Sequence, residues 1–293
     1  IYNLNGLSNI GTIKEILGRH GFTFSKGLGQ NFLVNPSVCP RMAEECGADS
    51  GVGVLEVGPG IGVLTHELCL RADKVVSVEL DQRLPEVLAE TLAEHKNFKL
   101  VSGDIMEIDV RKLIEEEFNG LDVVVCANLP YYITSPIIMK FLEEKLPIKS
   151  LTVMVQKEAA DRLTAKVGSR ESGAVTVAVA YYSTPEFLFN VSRGSFMPSP
   201  NVDSAVIKLN ISDKPNVEVK NEKDFRKVVK AGFSQRRKTL SNSLSSGLGI
   251  SKQDANSLIE NANLAPSIRA EKLSLEDFGR LTNCYTEYCN GEN

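Results

Sequence analysis

The stretch Val54-Leu55-Glu56-Val57-Gly58-Pro59-Gly60-Ile61-Gly62 decides the reading of the fold. Four residues of strand character run into three glycines at alternate positions, after which Leu64 and Leu68 set the spacing of an amphipathic helix. A strand, a glycine turn and a helix in that order let a ligand come close to the backbone at the turn. This is a nucleotide-cofactor signal that leaves the cofactor open, and a merely tight turn is the competing reading. The spacing differs from the G-x-G-x-x-G of dinucleotide sites and no group evidently awaits a nicotinamide, which favours a single nucleoside cofactor such as S-adenosylmethionine.

Outward from that turn, between about Gly53 and Leu209, short β-rich apolar runs alternate with helical patterns. This predicts an α/β fold with a parallel sheet covered on both faces. Strands are expected near 53–57, 74–79, 98–102, 121–127, 150–156, 185–191 and 203–210. Leu84, Val87, Leu88 and Leu92 give the 82–95 segment helical spacing, and Pro136 stands near the first turn of a further helix carrying Ile137, Ile138, Phe141 and Leu142. Two helices, at about 9–20 and 36–47, precede the sheet and are joined by the glycine-punctuated loop from Lys26 to Leu33. The polar, Pro-bearing segment Ser212-Asp213-Lys214-Pro215-Asn216 marks a domain boundary near residue 212, beyond which the pattern is helical.

With 293 residues and 42% hydrophobic composition, the chain can bury a substantial core. No run of about 18 apolar residues spans a bilayer; the longest candidate, Ala174 to Tyr182, reads as a buried helix or strand. Ile1 to Asn5 lack the regions of a signal peptide, so a cytoplasmic protein is expected. Six cysteines without a C-x-x-C pair and three histidines offer no metal-ligand spacing, and the thiols are expected to be reduced and to pack as small hydrophobes. The net charge of -4 argues against a protein coated with nucleic acid. One local run is nevertheless basic: Lys220, Lys223, Arg226, Lys227, Lys230, Arg236, Arg237 and Lys238, opposed only by Glu222 and Asp224. It is either a solvated helix face or a set of phosphate contacts.

The chemistry concentrates at strand ends. Glu79 closes the second expected strand, where a carboxylate can accept hydrogen bonds from ribose hydroxyls, and Asp104 follows the third, where it can accept from an adenine amino group. Each taken alone could be a helix cap or a loop carboxylate. Asn128-Leu129-Pro130-Tyr131 ends the fourth strand. An exocyclic adenine or cytosine amine is a poor nucleophile because its lone pair is delocalised into the ring. The Asn128 side-chain oxygen and the Leu129 carbonyl can accept the amine protons and aim the lone pair, while Tyr131 stacks on the base. A common turn with packed aromatics is the alternative. Phe196, in the Pro-rigidified segment Ser195-Phe196-Met197-Pro198-Ser199-Pro200, is a candidate second wall around an extruded base, or a core anchor.

Taken together, these residues resemble the KsgA/RsmA family of ribosomal RNA adenine dimethyltransferases. The likeness runs through Gly29-Gln30-Asn31-Phe32-Leu33, Leu55 to Gly60, Glu79-Leu80-Asp81, Gly103-Asp104 and Asn128 to Tyr131. It continues through Gln156 to Leu163, Pro200 to Val206, Arg237 to Leu240 and Pro266 to Leu273. The resemblance implies a Rossmann-like methyltransferase domain over 1–212, opened by a helical segment that caps the cofactor, and a helical rRNA-binding domain over 213–293. It implies transfer of methyl groups from S-adenosylmethionine to N6 of two adjacent adenosines in a hairpin loop near the 3′ end of 16S rRNA, on the immature small subunit, by a monomer without metal. Cofactor contacts would come from Asn31, Leu33, Gly58, Gly60, Glu79, Leu80, Asp104, Ile105 and Asn128. Asn128, Leu129, Pro130, Tyr131 and Phe196 would surround the target, and Lys227, Lys230, Arg236, Arg237 and Lys238 would meet rRNA phosphates. Three alternatives remain: a large-subunit macrolide-resistance methyltransferase, which usually carries isoleucine at the place of Leu129, a non-catalytic ribosome-assembly factor, and a DNA adenine methyltransferase.

Overall fold

The computed structural model describes residues 7, 9–22 and 31–291; the expected loop residues Lys26 to Gln30, and Ile1 to Asn5, lie outside them. The strands are β1 (Phe32–Leu33), β2 (Val52–Val57), β3 (Lys74–Glu79), β4 (Phe98–Ser102), β5 (Asp122–Asn128), β6 (Ser150–Gln156), β7 (Ser183–Val191), β8 (Phe196–Met197) and β9 (Ser204–Ile211). The helices of the first half are α1 (Ile10–Arg19), α2 (Val38–Glu45), α3 (Val63–Cys69), α4 (Leu84–Thr91), α5 (Val110–Glu117) and α6 (Thr134–Glu143). Those that follow are α7 (Lys157–Leu163), α8 (Ala174–Tyr182), α9 (Glu222–Gly232), α10 (Leu240–Leu248), α11 (Lys252–Asn261) and α12 (Leu275–Asn290).

Seven strands form one sheet in the order β4-β3-β2-β5-β6-β9-β7. Strands β4, β3, β2, β5 and β6 pair in parallel, and β2, β3, β5 and β6 are buried along nearly their whole length, as strands covered by helices on both sides are. The expectation of a parallel sheet needs correction at one edge: β9 runs antiparallel to β6, with Ser204 opposite Gln156 and Asn210 opposite Ser150, so the sheet is mixed. A second, two-stranded ribbon joins β1 to β8, with Leu33 opposite Phe196.

By its contacts the chain divides into two compact units, Ile1–Ala160 with Glu186–Ile211, and Asp161–Pro185 with Ser212–Asn293. In the first, one core cluster gathers Met42, Val54, Leu68, Val75, Val124, Met154 and Val206, and another gathers Ile13, Leu17, Ile61, Val87 and Leu88. In the second, α9 packs with α10 and α12, and the Tyr181 ring of α8 stacks on Phe225 of α9 at 4.1 Å. Gly247 of α10 is needed at its helix contact, because a Cβ there would lie 2.6 Å from the Ala231 backbone. Among the described residues no helix is long and apolar enough to cross a membrane. All six cysteines are free, four of them buried, which agrees with thiols packed as small hydrophobes.

Glu56 lies inside the sheet of the first unit near the carboxyl end of β2, fully enclosed and opposite Ser77 in the β2–β3 register. The hydroxyls of Ser77 and Thr65 donate to its Oε2 at 2.6 and 2.7 Å. Burial pushes the carboxyl up to about 7 from an ordinary 4.5, against the opposing effect of those two hydrogen bonds. The native state therefore holds a proton that the unfolded chain releases between these values. The resulting stability is present in full below the unfolded value and is lost as pH rises to the folded one, on the order of 3 kcal/mol by linkage. Glu56→Gln is expected to flatten this fall in the thermal midpoint; a variant that keeps the wild-type pH dependence would place the titration elsewhere.

Candidate active site

The strand order reverses between β2 and β5: the chain leaves β2 toward β3 and β4 on one side and returns to β5 and β6 on the other. Ligands of open α/β sheets bind at the carboxyl ends of the strands at such a switch point. A cleft partly open to solvent lies there within the first unit. Gly58 and Gly60 follow β2, Glu79 and Leu80 stand at the end of β3, Gly103, Asp104 and Ile105 follow β4, and Asn128 to Tyr131 close β5; all of them line it.

The glycine turn is built as its residues require. Gly58 and Gly60 have φ of 70° and 58°, a left-handed backbone that side chains resist, and the Gly58 amide donates to the Val78 carbonyl at 2.9 Å. Glu79 holds the turn from the neighbouring strand. Its Oε2 accepts from the Gly60 amide at 3.4 Å and its Oε1 from the Asp81 amide at 2.8 Å. Burial raises its carboxyl above the ordinary range, and the Asp81 and Gly60 amides pull the other way. Asp104 accepts the Met106 amide at 2.8 Å on Oδ1.

Asn128 is the last residue of β5, opposite Met154 of β6. Among the described residues its side-chain amide makes no hydrogen bond within the protein, and it faces the cleft with all its capacity unspent. Pro130 then turns the chain into a 3-10 segment, Tyr131–Ile133, secured by the Thr134 hydroxyl donating to the Pro130 carbonyl at 3.1 Å. Tyr131 is half-buried, with its hydroxyl 2.6 Å from Ser204 Oγ, and Tyr132 is exposed at the rim.

Asn31 and Leu33 also line the cleft, carried there by the β1–β8 ribbon. Phe196 does not. Its side chain is buried in the core cluster that also holds Leu33, its partner in the ribbon, and it is not among the residues that line the cleft. The sequence reading missed Phe32, Ile61, Leu84, Ile133 and Ile137 as lining residues, because an apolar side chain over a ligand reads like any core residue. It also missed Ser204 as the partner of Tyr131; only the three-dimensional pairing of β6 with β9 brings the two together.

These residues fit a nucleoside cofactor. Two carboxylates that can accept from hydroxyls and an amino group stand at successive strand ends among Ile61, Leu80, Leu84 and Ile105, and the adjoining glycine turn brings its backbone to the cleft. No cluster of His, Cys, Asp or Glu among the described residues could hold a metal ion.

The basic residues belong to the second unit. Lys227 and Lys230 lie on α9, while Arg236, Arg237 and Lys238 lie in the exposed turn before α10. Lys220 pairs with Glu287 at 2.6 Å, and Lys227 Nζ is 3.5 Å from Asp224 Oδ1. Arg236 donates to the Arg170 carbonyl at 3.2 Å. Among the described residues Lys230, Arg237 and Lys238 have no ion-pair partner.

The family model described as ribosomal RNA adenine dimethylase matches residues 21–287. A ribosomal RNA small subunit methyltransferase A of Alkaliphilus oremlandii is 46% identical over 271 residues, covering 92% of this chain and 94% of that protein. The protein of the same description from Bacillus mycoides is 47% identical over 274 residues, covering 92% and 94%. Among solved structures, the 23S rRNA methyltransferase ErmE superposes with a TM-score of 0.64 at 27% identity, over 87% of this chain and 99% of that one. A dimethyladenosine transferase from Plasmodium falciparum shares the fold with a TM-score of 0.71 at 24% identity, over 89% and 98%.

Proposed function

This chain belongs to the ribosomal RNA adenine dimethylase family, and from that premise we propose that it transfers methyl groups from S-adenosylmethionine to N6 of two adjacent adenosines in a hairpin loop near the 3′ end of 16S rRNA. The observation that carries the reading is the unspent amide of Asn128, set in the same cleft as Glu79 and Asp104 at the switch point of the sheet. The small subunit is favoured over the large because the small-subunit relatives share far more of their residues with this chain than the large-subunit enzyme does.

S-adenosylmethionine, when bound, supplies a methyl group activated on a sulfonium. Glu79 would hold the ribose hydroxyls and Asp104 the adenine amine, with Gly58 and Gly60 beside the methionine end and Asn31, Leu33, Leu80 and Ile105 packing around the nucleoside. The Asn128 oxygen and the Leu129 carbonyl accept the two protons of the target amine, which turns the nitrogen lone pair toward the cofactor side of the cleft. Tyr131 fixes the plane of the base. Phe196 packs in the core cluster that also holds Leu33. The alkylated amine becomes acidic, so a strong general base is unnecessary, and among the described residues no histidine lines the cleft.

The substrate is the immature small subunit, met by a monomer in the cytoplasm where subunits assemble, with the residues beyond 212 forming the rRNA-binding domain. Lys227, Lys230, Arg236, Arg237 and Lys238 meet rRNA phosphates, the last two and Lys230 having no internal ion pair to break first. Replacing Arg236, Arg237 and Lys238 together by glutamine is expected to weaken rRNA binding about tenfold and to lower the salt slope by roughly two to three. An unaltered slope would return this turn to an ordinary solvated surface.

The test of the function is methyl incorporation from labelled S-adenosylmethionine into small and large subunits lacking the modifications, with nucleosides identified by mass spectrometry. Dimethyladenosine confined to small subunits is expected. Label in large subunits alone would make the protein a resistance-type enzyme, and label in neither would make it an assembly factor or a DNA enzyme.

A further inference from the structure

We infer that Ser204 is a positioning residue for methyl transfer, holding the Tyr131 ring in the plane against which the target base stacks; this rests on the stacking role proposed for Tyr131. The ring leaves the sheet on a short 3-10 turn, so the backbone fixes its root but not its plane. The far end of the side chain is fixed instead by the 2.6 Å contact between its hydroxyl and Ser204 Oγ. Ser204 has no exposed surface and opens β9, opposite Gln156 of β6. Strand β6 in turn pairs with β5, whose last residue is Asn128. The amide that meets the target amine and the hydroxyl that anchors the stacking ring are thus tied to one continuous stretch of sheet, β5–β6–β9.

The alternative is that Tyr131 merely satisfies a buried serine. Burial pushes the Tyr131 phenol up, so the pair keeps its proton through the neutral range and the contact is a standing one under working conditions. A satisfied serine and a positioned ring differ in what they do to catalysis. Removing the phenol oxygen leaves an aromatic face of the same size; if the face alone matters, Tyr131→Phe transfers methyl groups at the wild-type rate. If the anchor matters, losing either hydroxyl lets the ring swing and slows the chemical step without touching the cofactor residues.

The experiment measures kcat and KM on small subunits lacking the modification, cofactor affinity by calorimetry and the thermal midpoint, for wild type, Ser204→Ala, Tyr131→Phe and the double variant. Each single variant is expected to lower kcat about fivefold, with KM and cofactor Kd within about twofold, and the double variant to be no slower than the slower single. An unchanged kcat in Tyr131→Phe overturns the inference, as does a double variant whose loss is the product of the two singles. If Ser204→Ala fails to fold, Tyr131→Phe carries the same test, since it leaves Ser204 in place. An inactive wild type overturns the functional reading and this inference with it, whereas active wild type with unimpaired variants overturns this inference alone.

Discussion

Asn128→Ala is expected to lower methyl transfer to small subunits by about a thousandfold while leaving cofactor affinity within a few-fold of wild type. The size follows from what the amide has to do. The target nitrogen shares its lone pair with the ring, and the reaction needs that pair turned out of conjugation toward the methyl. An acceptor on a rigid strand end achieves this without reorganising during the reaction. The protein spends no hydrogen bond of its own on this side chain among the described residues, and the β5–β6 ladder at Asn128 is a backbone pairing. Alanine therefore removes the acceptor and leaves the fold. Asn128→Asp keeps an accepting oxygen and is expected to recover part of the rate. Turnover of Asn128→Ala within tenfold of wild type would take the amide out of the mechanism.

The same side chain shows what the sequence disclosed and what it hid. Strands β2, β3, β5 and β6 were legible because strands covered on both faces read as largely apolar runs, and such runs end where the chain meets the cleft. Gly58, Glu79, Asp104 and Asn128 were legible as strand-end residues for that reason, and the structure brings all four to one cleft. The reversed direction of β9 was not, since alternation and apolar content are the same in either direction. A signal was nevertheless present: residues 192–203 contain no α-helix, and a parallel crossover ordinarily needs one. The β1–β8 ribbon escaped because two residues have no periodicity to read. Phe196 is a candidate for the target wall or for the core by sequence, and the structure buries it in the core cluster with Leu33; a phenylalanine beside two prolines looks the same from sequence whether its ring faces a ligand or a core. Asp161–Pro185 joins the helical unit although it precedes β9 in the chain, and contacts of that kind carry no local mark at all.

Glu79→Ala is expected to weaken S-adenosylmethionine binding about thirtyfold, the second of the large effects. Two losses combine. The carboxylate would give up its hydrogen bonds to the ribose, and the Gly60 amide would lose the acceptor that steadies the glycine turn from the neighbouring strand. Glu79→Gln keeps the volume and one acceptor, so it separates the two and should fall between wild type and alanine. The pH dependence supplies an independent check. Burial holds this carboxyl above its ordinary value, so acidification protonates it sooner than it would an exposed glutamate. Only the carboxylate accepts on both oxygens. Cofactor affinity should therefore decline as pH falls through the raised value, with proton release on binding in that range. Calorimetry from about pH 5 to about pH 8 reads both quantities, and the decline should vanish in Glu79→Gln. An alanine variant that binds the cofactor like wild type would leave the ribose to another group and reduce Glu79 to a brace for the turn.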